Sequence, residues 1–378
     1  MHDKSKRTLF ITNDFGPRAG GIETFVHGLI ERFPKGSILV YTSQQGDTNA
    51  YDAKWSDEFG VVVIRDASKM LLPTPRVIRS IRKVIAKERP DSVVFGAAAP
   101  LALMGKFLEV PKKIALTHGH EVWWAKVPPF NLAMRLIGNS VDHLTYLGEF
   151  TKREISKGLS AKARSAMIQI APGIDTQVFK PIDATELRNN LGLSDKPVIV
   201  SVGRLVPRKG QDQLIRALPA ILKRIPNAHL LLVGSGNYQR KLEKLVAANS
   251  LQDSVTFTGR VNYDDLMRYI CAGDIFAMPS RSRLGGLEVE GLGIVYLEAS
   301  ACGLPVLGGD SGGAPDAVLN GVTGLVVNGR DTQAIASAAI ELLASDRKAM
   351  GRAGRNWAVQ NWDWNIWATK FVKLVRGA

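Results

Sequence analysis

The feature that most restricts the possible folds is a regular alternation of short apolar runs with amphipathic helical segments. The first cycles read RTLFITN, GIETFVHGLIERF, SILVYTS and VVVIRD, in which β-branched runs and helical periodicity take turns. Strands that alternate with helices in this way form parallel sheets covered by helices on both faces. The pattern restarts at KPVIVSVGRL, after a stretch punctuated by glycine and proline at residues 170–181. The sequence therefore predicts an α/β protein with two successive doubly wound units.

The length of the chain supports two domains, because 378 residues exceed the size at which one hydrophobic core usually stops growing. We expect a Rossmann-like domain over residues 1–170 and a second over 178–354, facing each other across a ligand-binding cleft. The segment 355–378 carries aromatic residues at a helical spacing that is typical of a buried face: Trp357, Trp362, Trp364 and Trp367. We expect this tail to pack on the first domain, with a stacking platform for bases or sugars as the alternative.

Charge and composition narrow the class of protein. The formal net charge of +14 indicates an anionic partner, whether phosphorylated ligand, acidic lipid or nucleic acid. No nucleic-acid-binding motif is recognisable, so we do not expect a nucleic-acid partner. No apolar stretch reaches the roughly 18 residues that span a bilayer, and no signal-peptide pattern is present, so we expect a cytoplasmic protein. The two cysteines, Cys271 and Cys302, form no disulfide or zinc-site pattern.

Two loops that follow predicted strands have the composition of phosphate sites. In GPRAGGIETF, Gly20 and Gly21 would let backbone N–H groups approach a phosphate at a helix N-terminus; an ordinary strand-to-helix turn is the alternative. In SVGRLVPRKG, Arg204 and Lys209 could converge on a diphosphate, or could be solvated surface charges. The glycines of VGSGNYQ lack the third glycine of a dinucleotide site, which argues against a nicotinamide cofactor.

Two glutamates eight positions apart stand in EGLGIVYLEASACGLPV. If a helix begins near Gly293, Glu290 lies in the preceding loop and Glu298 lies more than one turn in, so about 10 Å separates them. That distance suits the two ends of one elongated ligand, since carboxylates accept hydrogen bonds from the vicinal diols of a sugar and a ribose. Two surface glutamates on one helix are the alternative, which the apolar neighbours on both sides disfavour.

A basic amphipathic segment occupies residues 69–89. It contains seven Lys and Arg residues and one Glu, and its helical stripe of β-branched residues consists of Val77, Ile78, Ile81, Val84 and Ile85. Such a helix can lie on an anionic lipid surface, or can cover its own sheet with a solvated basic face, and the sequence leaves both open. The cations that would contact the membrane are Arg76, Arg79, Arg82 and Lys83.

These motifs together resemble the retaining glycosyltransferases of family 4, which have the two-domain GT-B fold. The resemblance rests on Arg204 with Lys209, on Glu290-x7-Glu298 followed by ASACGLPV, and on GGIE and PGIDTQVFKP. It covers nearly the whole chain. More narrowly, the sequence is similar to the PimB-type α-mannosyltransferases, which extend phosphatidylinositol mannosides from GDP-mannose.

The resemblance implies a role for each donor-site residue. Glu290 would hold sugar hydroxyls, Glu298 the ribose, and Arg204 with Lys209 the diphosphate. The backbone at Val261 would meet the base. The residues between the glutamates would line the donor site: Gly291, Leu292, Gly293, Ile294 and Val295.

The same resemblance places a histidine beside the transferred sugar. His118 in LTHGHEVW matches the family's histidine, with His120 as the open alternative. This sequence departs from the family pattern in having Leu292 where a phenylalanine is usual. It also offers Glu288 as a rival to Glu290, although the eight-residue spacing to Glu298 selects Glu290.

The implied activity is a same-face transfer of mannose from GDP-mannose to a lipid-linked acceptor, at the inner face of the plasma membrane. The chain has no Asp-x-Asp triplet, so we expect no metal and no cofactor. Two other functions share these motifs. One is a UDP-sugar-dependent transferase with a soluble acceptor such as an inositol phosphate, and the other is a nucleotide-binding module without catalysis. The sequence does not determine the oligomeric state.

Overall fold

The structure is a computed structural model that describes residues 6–17 and 20–377. The chain divides into two compact units, which are described separately below. The first unit comprises Met1–Gly173 together with Trp364–Ala378, and the second comprises Ile174–Asp363. No helix in the described ranges is both long and apolar enough to cross a membrane.

A parallel sheet forms the centre of the first unit. Its strands, among the described residues, are β1 (Thr8–Thr12), β2 (Ile38–Ser43), β3 (Val62–Asp66), β4 (Ser92–Phe95), β5 (Lys112–Ala115), β6 (His143–Tyr146) and β7 (Met167–Gln169). They lie in the order β3-β2-β1-β4-β5-β6-β7. All five residues of β1 are buried, as expected of a parallel strand that is covered on both faces. The strand order reverses between β1 and β4, which pair in parallel from Thr8↔Ser92 to Ile11↔Phe95.

Helices cover this sheet. They are α1 (Gly21–Ile30), α2 (Asn49–Phe59), α3 (Pro75–Glu88), α4 (Glu121–Lys126), α5 (Phe130–Ser140), α6 (Glu149–Ser156) and α7 (Ala161–Ser165), with a 3-10 helix at Leu101–Phe107.

Helix α3 is the basic amphipathic segment, and its apolar stripe is not exposed. Val77 and Ile81 are buried in the core of the first unit, and Ile78, Val84 and Ile85 pack partly buried against that core. The helix therefore covers its own sheet with its apolar face. Of the two alternatives that the sequence left open for this segment, this packing favours a helix that covers its own sheet, and the membrane contact of its cations stays a prediction.

The second unit repeats the architecture. Its described strands are β8 (Val198–Val202), β9 (His229–Val233), β10 (Val255–Gly259), β11 (Ile275–Met278), β12 (Val306–Gly309) and β13 (Gly324–Val327). All pair in parallel, in the order β10-β9-β8-β11-β12-β13. The order reverses between β8 and β11, and ligands of doubly wound sheets bind at the carboxyl ends of the strands at such a point.

The helices of the second unit are α8 (Thr185–Asn190), α9 (Gln211–Arg224), α10 (Gln239–Ala248), α11 (Tyr263–Cys271), α12 (Ile294–Ala301), α13 (Thr332–Ala344) and α14 (Arg347–Trp362). The core of this unit includes Leu214, Ile215 and Leu218 of α9 together with Ile335 and Leu342 of α13. The alternation of strands and helices is therefore confirmed in both units.

The last helix, α15 (Trp364–Arg376), belongs to the first unit. Trp364 lies beside Phe25 of α1 with 6.1 Å between the ring centroids, and Phe371 packs edge-on against Phe10 and Phe33. Residues 355–363 of the predicted tail belong instead to the second unit, since α14 runs on to Trp362 and packs against α12.

Candidate active site

The second unit holds a buried ion-pair cluster at its topological switch point. Glu290 lies in the loop between β11 and α12, and its Oε2 accepts hydrogen bonds from Arg208 Nη1 at 2.6 Å and Lys209 Nζ at 3.0 Å. The two cations stand in a 3-10 helix, Pro207–Lys209, that follows β8. Because β8 and β11 are neighbours in the sheet, loops that are far apart in the sequence meet at its carboxyl edge.

Glu290 is 8% exposed and ionised. Burial raises the pKa of its carboxyl, but Lys209 and Arg208 outweigh burial and hold that pKa below its usual value. Glu288 also lies 3.9 Å from Arg208 and pairs with Arg283, so three cations face two carboxylates and leave an excess of positive charge at this position. The cluster can therefore attract an anion such as a diphosphate.

The loop that carries Glu290 fits closely against the loop after β12. The backbone N–H of Glu290 donates to Ser311 Oγ at 3.1 Å, and the N–H of Gly313 donates to the Glu290 carbonyl at 2.8 Å. A Cβ added to Gly312 would lie 2.3 Å from that carbonyl, so the close approach requires glycine. These contacts fix the backbone of Glu290 while its side chain faces the two cations.

Helix α12 begins directly after this loop, as the glutamate spacing predicts. Its N-cap is Gly293, which has a φ of 78°. Tyr296 is fully buried in the first turn, and its hydroxyl donates to the Met278 carbonyl at 2.7 Å, which ties α12 to the end of β11. The backbone N–H groups of Ile294 and Val295 lie at a helix N-terminus, where the helix dipole favours negative charge.

Glu298 follows on the second turn of α12. Burial raises the pKa of this carboxyl to about 7, and the positive charge of Lys209 acts in the opposite direction. Lys209 thus interacts with a strongly ionised carboxylate, Glu290, and with one that titrates near neutral pH.

The cations differ from those that the sequence identified. Arg204 is exposed and lies outside the ion-pair cluster, whereas Arg208, which the sequence reasoning missed, is part of it. The rival carboxylate Glu288 accepts a hydrogen bond from Arg283 at 2.8 Å and lies 3.9 Å from Arg208. The structure therefore brings Glu290, as the spacing selected, to Lys209.

The remaining donor-site candidates lie at the same edge of the second sheet or beside it. Val261 is half-buried in the loop between β10 and α11. Leu292 is 3% exposed, so it packs in the protein interior and does not offer its side chain to a ligand. Gly291 is half-buried just before it.

In the first unit, the predicted glycines lie at the start of α1. Gly20 is its N-cap and Gly21 its first residue. Both are exposed, and a Cβ added to either would meet nothing within 4 Å. Their backbone is thus open to a ligand, although Arg18 and Ala19 of the same loop lie outside the described residues.

His118 lies in the loop after β5, where hydrogen bonds hold both its ring and its backbone. Its Nε2–H donates to the Gly96 carbonyl and its backbone N–H donates to Glu121 Oε2 at 2.9 Å. Burial lowers the pKa of the imidazole, so the ring is neutral at pH 7 with Nδ1 as the remaining acceptor. His120 is more exposed, with its Nε2 3.3 Å from Glu121 Oε1.

No group of three or more His, Cys, Asp or Glu side chains within the described ranges is arranged to hold a metal ion.

Comparisons with known proteins identify the family and the fold. Residues 19–178 match the family described as Glycosyltransferase Family 4, and residues 183–357 match Glycosyl transferases group 1. The chain is 42% identical over 377 residues to the GDP-mannose-dependent alpha-(1-6)-phosphatidylinositol monomannoside mannosyltransferase of Mycolicibacterium smegmatis, covering 98% of both chains. It is 43% identical over 383 residues to the monoacylated-acceptor mannosyltransferase of Corynebacterium glutamicum, again covering 98% of both.

Among solved structures, the Anabaena protein Alr3699/HepE in complex with UDP matches 98% of this chain and 100% of its own, with a TM-score of 0.81 at 19% identity. That likeness supports the fold. The full-length identity to the two mannosyltransferases supports the family. The chain therefore belongs to glycosyltransferase family 4 and has the GT-B fold.

Proposed function

We propose that this protein transfers mannose from GDP-mannose to a phosphatidylinositol monomannoside, with retention of the α configuration. The observation that carries the proposal is the buried cluster of Glu290, Arg208 and Lys209 at the switch point of the second unit. The relatives that are 42% and 43% identical over nearly their full length are named for this donor and this acceptor class.

The donor would displace Glu290 from its cations. Arg208 and Lys209, joined by Arg204, would bind the diphosphate, which offers more negative charge than one carboxylate. Glu290 would then be free to accept hydrogen bonds from the hydroxyls of mannose. Glu298 would accept hydrogen bonds from the ribose, and the backbone near Val261 would contact the guanine.

The transfer needs no protein nucleophile. The acceptor hydroxyl oxygen would form a bond to the anomeric carbon on the face from which the diphosphate departs, as the bond from that carbon to the phosphate oxygen breaks. The acceptor proton would pass to the departing phosphate oxygen. Arg208 and Lys209 would stabilise the negative charge that develops there. In the first unit, the amides of Gly20 and Gly21 would be open to a phosphate and neutral His118 to a sugar.

The lipid acceptor would bring the protein to the inner face of the plasma membrane. The exposed face of α3 carries Arg79, Arg82 and Lys83, and these cations would meet anionic headgroups. Arg76 is bound to Asp66 at 2.6 Å, so its charge is already matched within the protein.

The test compares donors and acceptors with the purified protein. We expect a product only from GDP-mannose with phosphatidylinositol monomannoside, with an α linkage by NMR. A product from UDP-sugars and inositol phosphate would establish the soluble-acceptor function instead. Nucleotide binding without turnover of any donor would establish a binding module.

Metal independence is a second expectation. Because Arg and Lys side chains already face the position proposed for the diphosphate, activity should remain within about twofold in excess chelator, where the loss of a Lewis acid would remove several kcal/mol of transition-state stabilisation. An absolute requirement for added Mg²⁺ or Mn²⁺ would show that the diphosphate is bound elsewhere.

A further inference from the structure

Helix α5 presents an apolar stripe to solvent. Leu132 and Leu136, one turn apart, are 59% and 52% exposed. Arg135 and Asn139 share this outer face, whereas Met134 and Ile137 on the opposite face are buried. The helix thus packs on the first unit with one face and leaves a second apolar face uncovered. Adjacent exposed apolar side chains of this size mark interaction surfaces.

Further exposed aromatic residues lie at the start of α5 and on the 3-10 helix that adjoins its end. Phe130, at its start, is 36% exposed and packs edge-on against Trp123 and Trp124 with centroids 4.7 and 5.0 Å away. At its end, Ser140 Oγ donates to the Ala102 carbonyl at 2.7 Å, which joins α5 to the 3-10 helix Leu101–Phe107. That helix ends in Phe107, which is 46% exposed. We call the exposed residues the apolar band: Phe107, Phe130, Leu132 and Leu136.

The helices that carry the apolar band are basic. Helix α5 and the 3-10 helix contain no Asp or Glu, and their cations, Lys106 and Arg135, are exposed. Arg82 Nε of α3 donates to the Phe107 carbonyl at 2.7 Å, so the basic face of α3 adjoins the band. The segments after the two helices each add one exposed acid, Glu109 and Asp142. Apolar side chains, partly exposed indoles and an excess of cations are the composition of a surface that binds anionic lipid.

We propose that the apolar band inserts into the boundary between headgroups and acyl chains of an anionic bilayer, while the cations of α3 meet the headgroups. The inference rests on the proposed function, since a lipid acceptor requires the enzyme to work at a membrane. It assigns insertion to α5 and the 3-10 helix and not to α3, whose apolar stripe is packed on its own sheet.

The two components differ in their response to salt. Attraction between cations and headgroups is screened, with a Debye length of about 3 Å at 1 M salt, but burial of apolar surface is not. The parent protein should therefore keep a salt-resistant component of binding to vesicles of equimolar phosphatidylcholine and phosphatidylinositol. That component should come from the apolar band.

The test is sedimentation with these vesicles in 1 M NaCl. Leu132→Ser with Leu136→Ser should lower partitioning about 30-fold, the effect of withdrawing two half-exposed leucines from burial. The matched control is Leu319→Ser with Val322→Ser in the second unit, where the residues are 40% and 54% exposed, and it should bind like the parent. Equal partitioning of all three proteins would overturn the proposal.

Two further measurements separate the possible failures. Transfer from GDP-mannose to detergent-dispersed phosphatidylinositol monomannoside should be equal in the parent and the Leu132/Leu136 variant, which also shows that the variant is folded. If neither protein transfers mannose but only the variant loses vesicle binding, the proposed function fails and the surface stands. If the parent is a dimer that this variant converts to monomers, a second copy of the chain covers the band and the proposal is wrong.

Discussion

At the scale of single residues, Lys209 connects two carboxyl groups with opposite pKa shifts. Glu290 has a pKa below its usual value because Lys209 and Arg208 outweigh burial, whereas burial raises the pKa of Glu298 to about 7. Carboxyl groups whose environments separate their pKa values in this way are typical of functional sites. When no ligand is bound, the ionised Glu290 pairs with Arg208 and Lys209. Glu298 can take up or release a proton near neutral pH.

The first prediction concerns Glu290→Gln. The amide keeps the size of the side chain but no longer pairs with Arg208 and Lys209, so those cations are free for a diphosphate. We expect GDP to bind at least as tightly as in the parent. Transfer of mannose should fall about 100-fold or more, the usual effect of removing one polar group that stabilises a transition state.

Calorimetric titration of GDP and steady-state transfer rates measure the two effects separately. Glu341→Gln, on the exposed face of α13, is the control and should change neither quantity. A Glu290→Gln variant that turns over the donor like the parent would show that this carboxylate does not contact the sugar.

The second prediction concerns pH and Glu298. Its pKa is raised from an ordinary value of 4.5 to about 7 in the folded protein. Between these values the folded protein binds more protons at Glu298 than the unfolded chain, so the unfolding free energy falls as pH rises. Glu298→Gln should remove this contribution. The variant should therefore gain stability relative to the parent when pH is raised from 5 to 8.

Denaturant unfolding of both ligand-free proteins at these two pH values measures the difference. A constant difference between parent and variant would mean that Glu298 titrates as an ordinary exposed carboxyl.

The sequence identified most of these residues, and the reason for the exception is physical. Glu290 lies in a loop and Glu298 in the helix that follows it, so their eight-residue spacing and their apolar neighbours made both of them candidates. Arg208 contacts a carboxylate 82 positions away through two loops that meet only because β8 and β11 are adjacent. Its neighbour Lys209 was predicted as a diphosphate ligand because it matches a family motif. No local pattern distinguished Arg208 from a solvated arginine.

At the scale of elements, α3 shows what periodicity can and cannot establish. The spacing of Val77, Ile78 and Ile81 predicted an amphipathic helix, and the structure confirms a helix over Pro75–Glu88. The same spacing serves a helix on a membrane or a helix on a sheet. Only the position of β2 and β3 and the neighbouring core decides between them, and the first unit buries the stripe.

The third prediction therefore concerns the charges of α3 and not its apolar residues. Replacing Arg79, Arg82 and Lys83 with Ser removes three attractions of about 1 kcal/mol each to anionic headgroups. Association with phosphatidylinositol-containing vesicles should fall by about two orders of magnitude at low salt. The decrease should be smaller near physiological ionic strength because of screening.

The control for this variant removes equal charge from the second unit, by replacing the exposed Lys223, Arg224 and Lys244 with Ser. Vesicle sedimentation across a salt series measures both triple variants. An equal loss in the two would indicate that net charge, and not the face of α3, determines association.

At the scale of the whole molecule, the chain forms two units, and the first of them consists of two segments that are separated in the sequence by the second unit. The restart of the strand and helix pattern predicted both sheets, since strand runs and turn residues are local signals. The sequence predicted that the chain returns to the first unit at residue 355, whereas in the structure it returns at Trp364. The spacing of four tryptophans predicted one continuous aromatic helix: Trp357, Trp362, Trp364 and Trp367. In the structure the backbone leaves the helical conformation at Asp363, where φ is −62° and ψ is 142°.

The fourth prediction tests how firmly the last helix completes the first unit. The indole of Trp364 is 9% exposed and lies against Gly28 of α1, where an added Cβ would be 2.4 Å from it. Trp364→Ala should destabilise the first unit by about 3 to 5 kcal/mol. In calorimetry the transition of the first unit should move to lower temperature, while the transition that GDP stabilises stays in place.

Trp357→Ala is the matched control, since Trp357 is a half-buried tryptophan of α14 in the second unit. It should affect the transition that GDP stabilises and leave the first unit unchanged. If both substitutions shift both transitions equally, the units do not unfold independently.

The placement of α15 has a consequence for how the protein is made. A ribosome releases the chain from the N-terminus, and domains generally begin to fold in that order during synthesis. Here the first unit cannot be finished when its own strands emerge, because the helix that covers Phe10 and Phe33 is made only after all of the second unit. The nascent first unit therefore keeps that aromatic surface uncovered while residues 174–363 are translated.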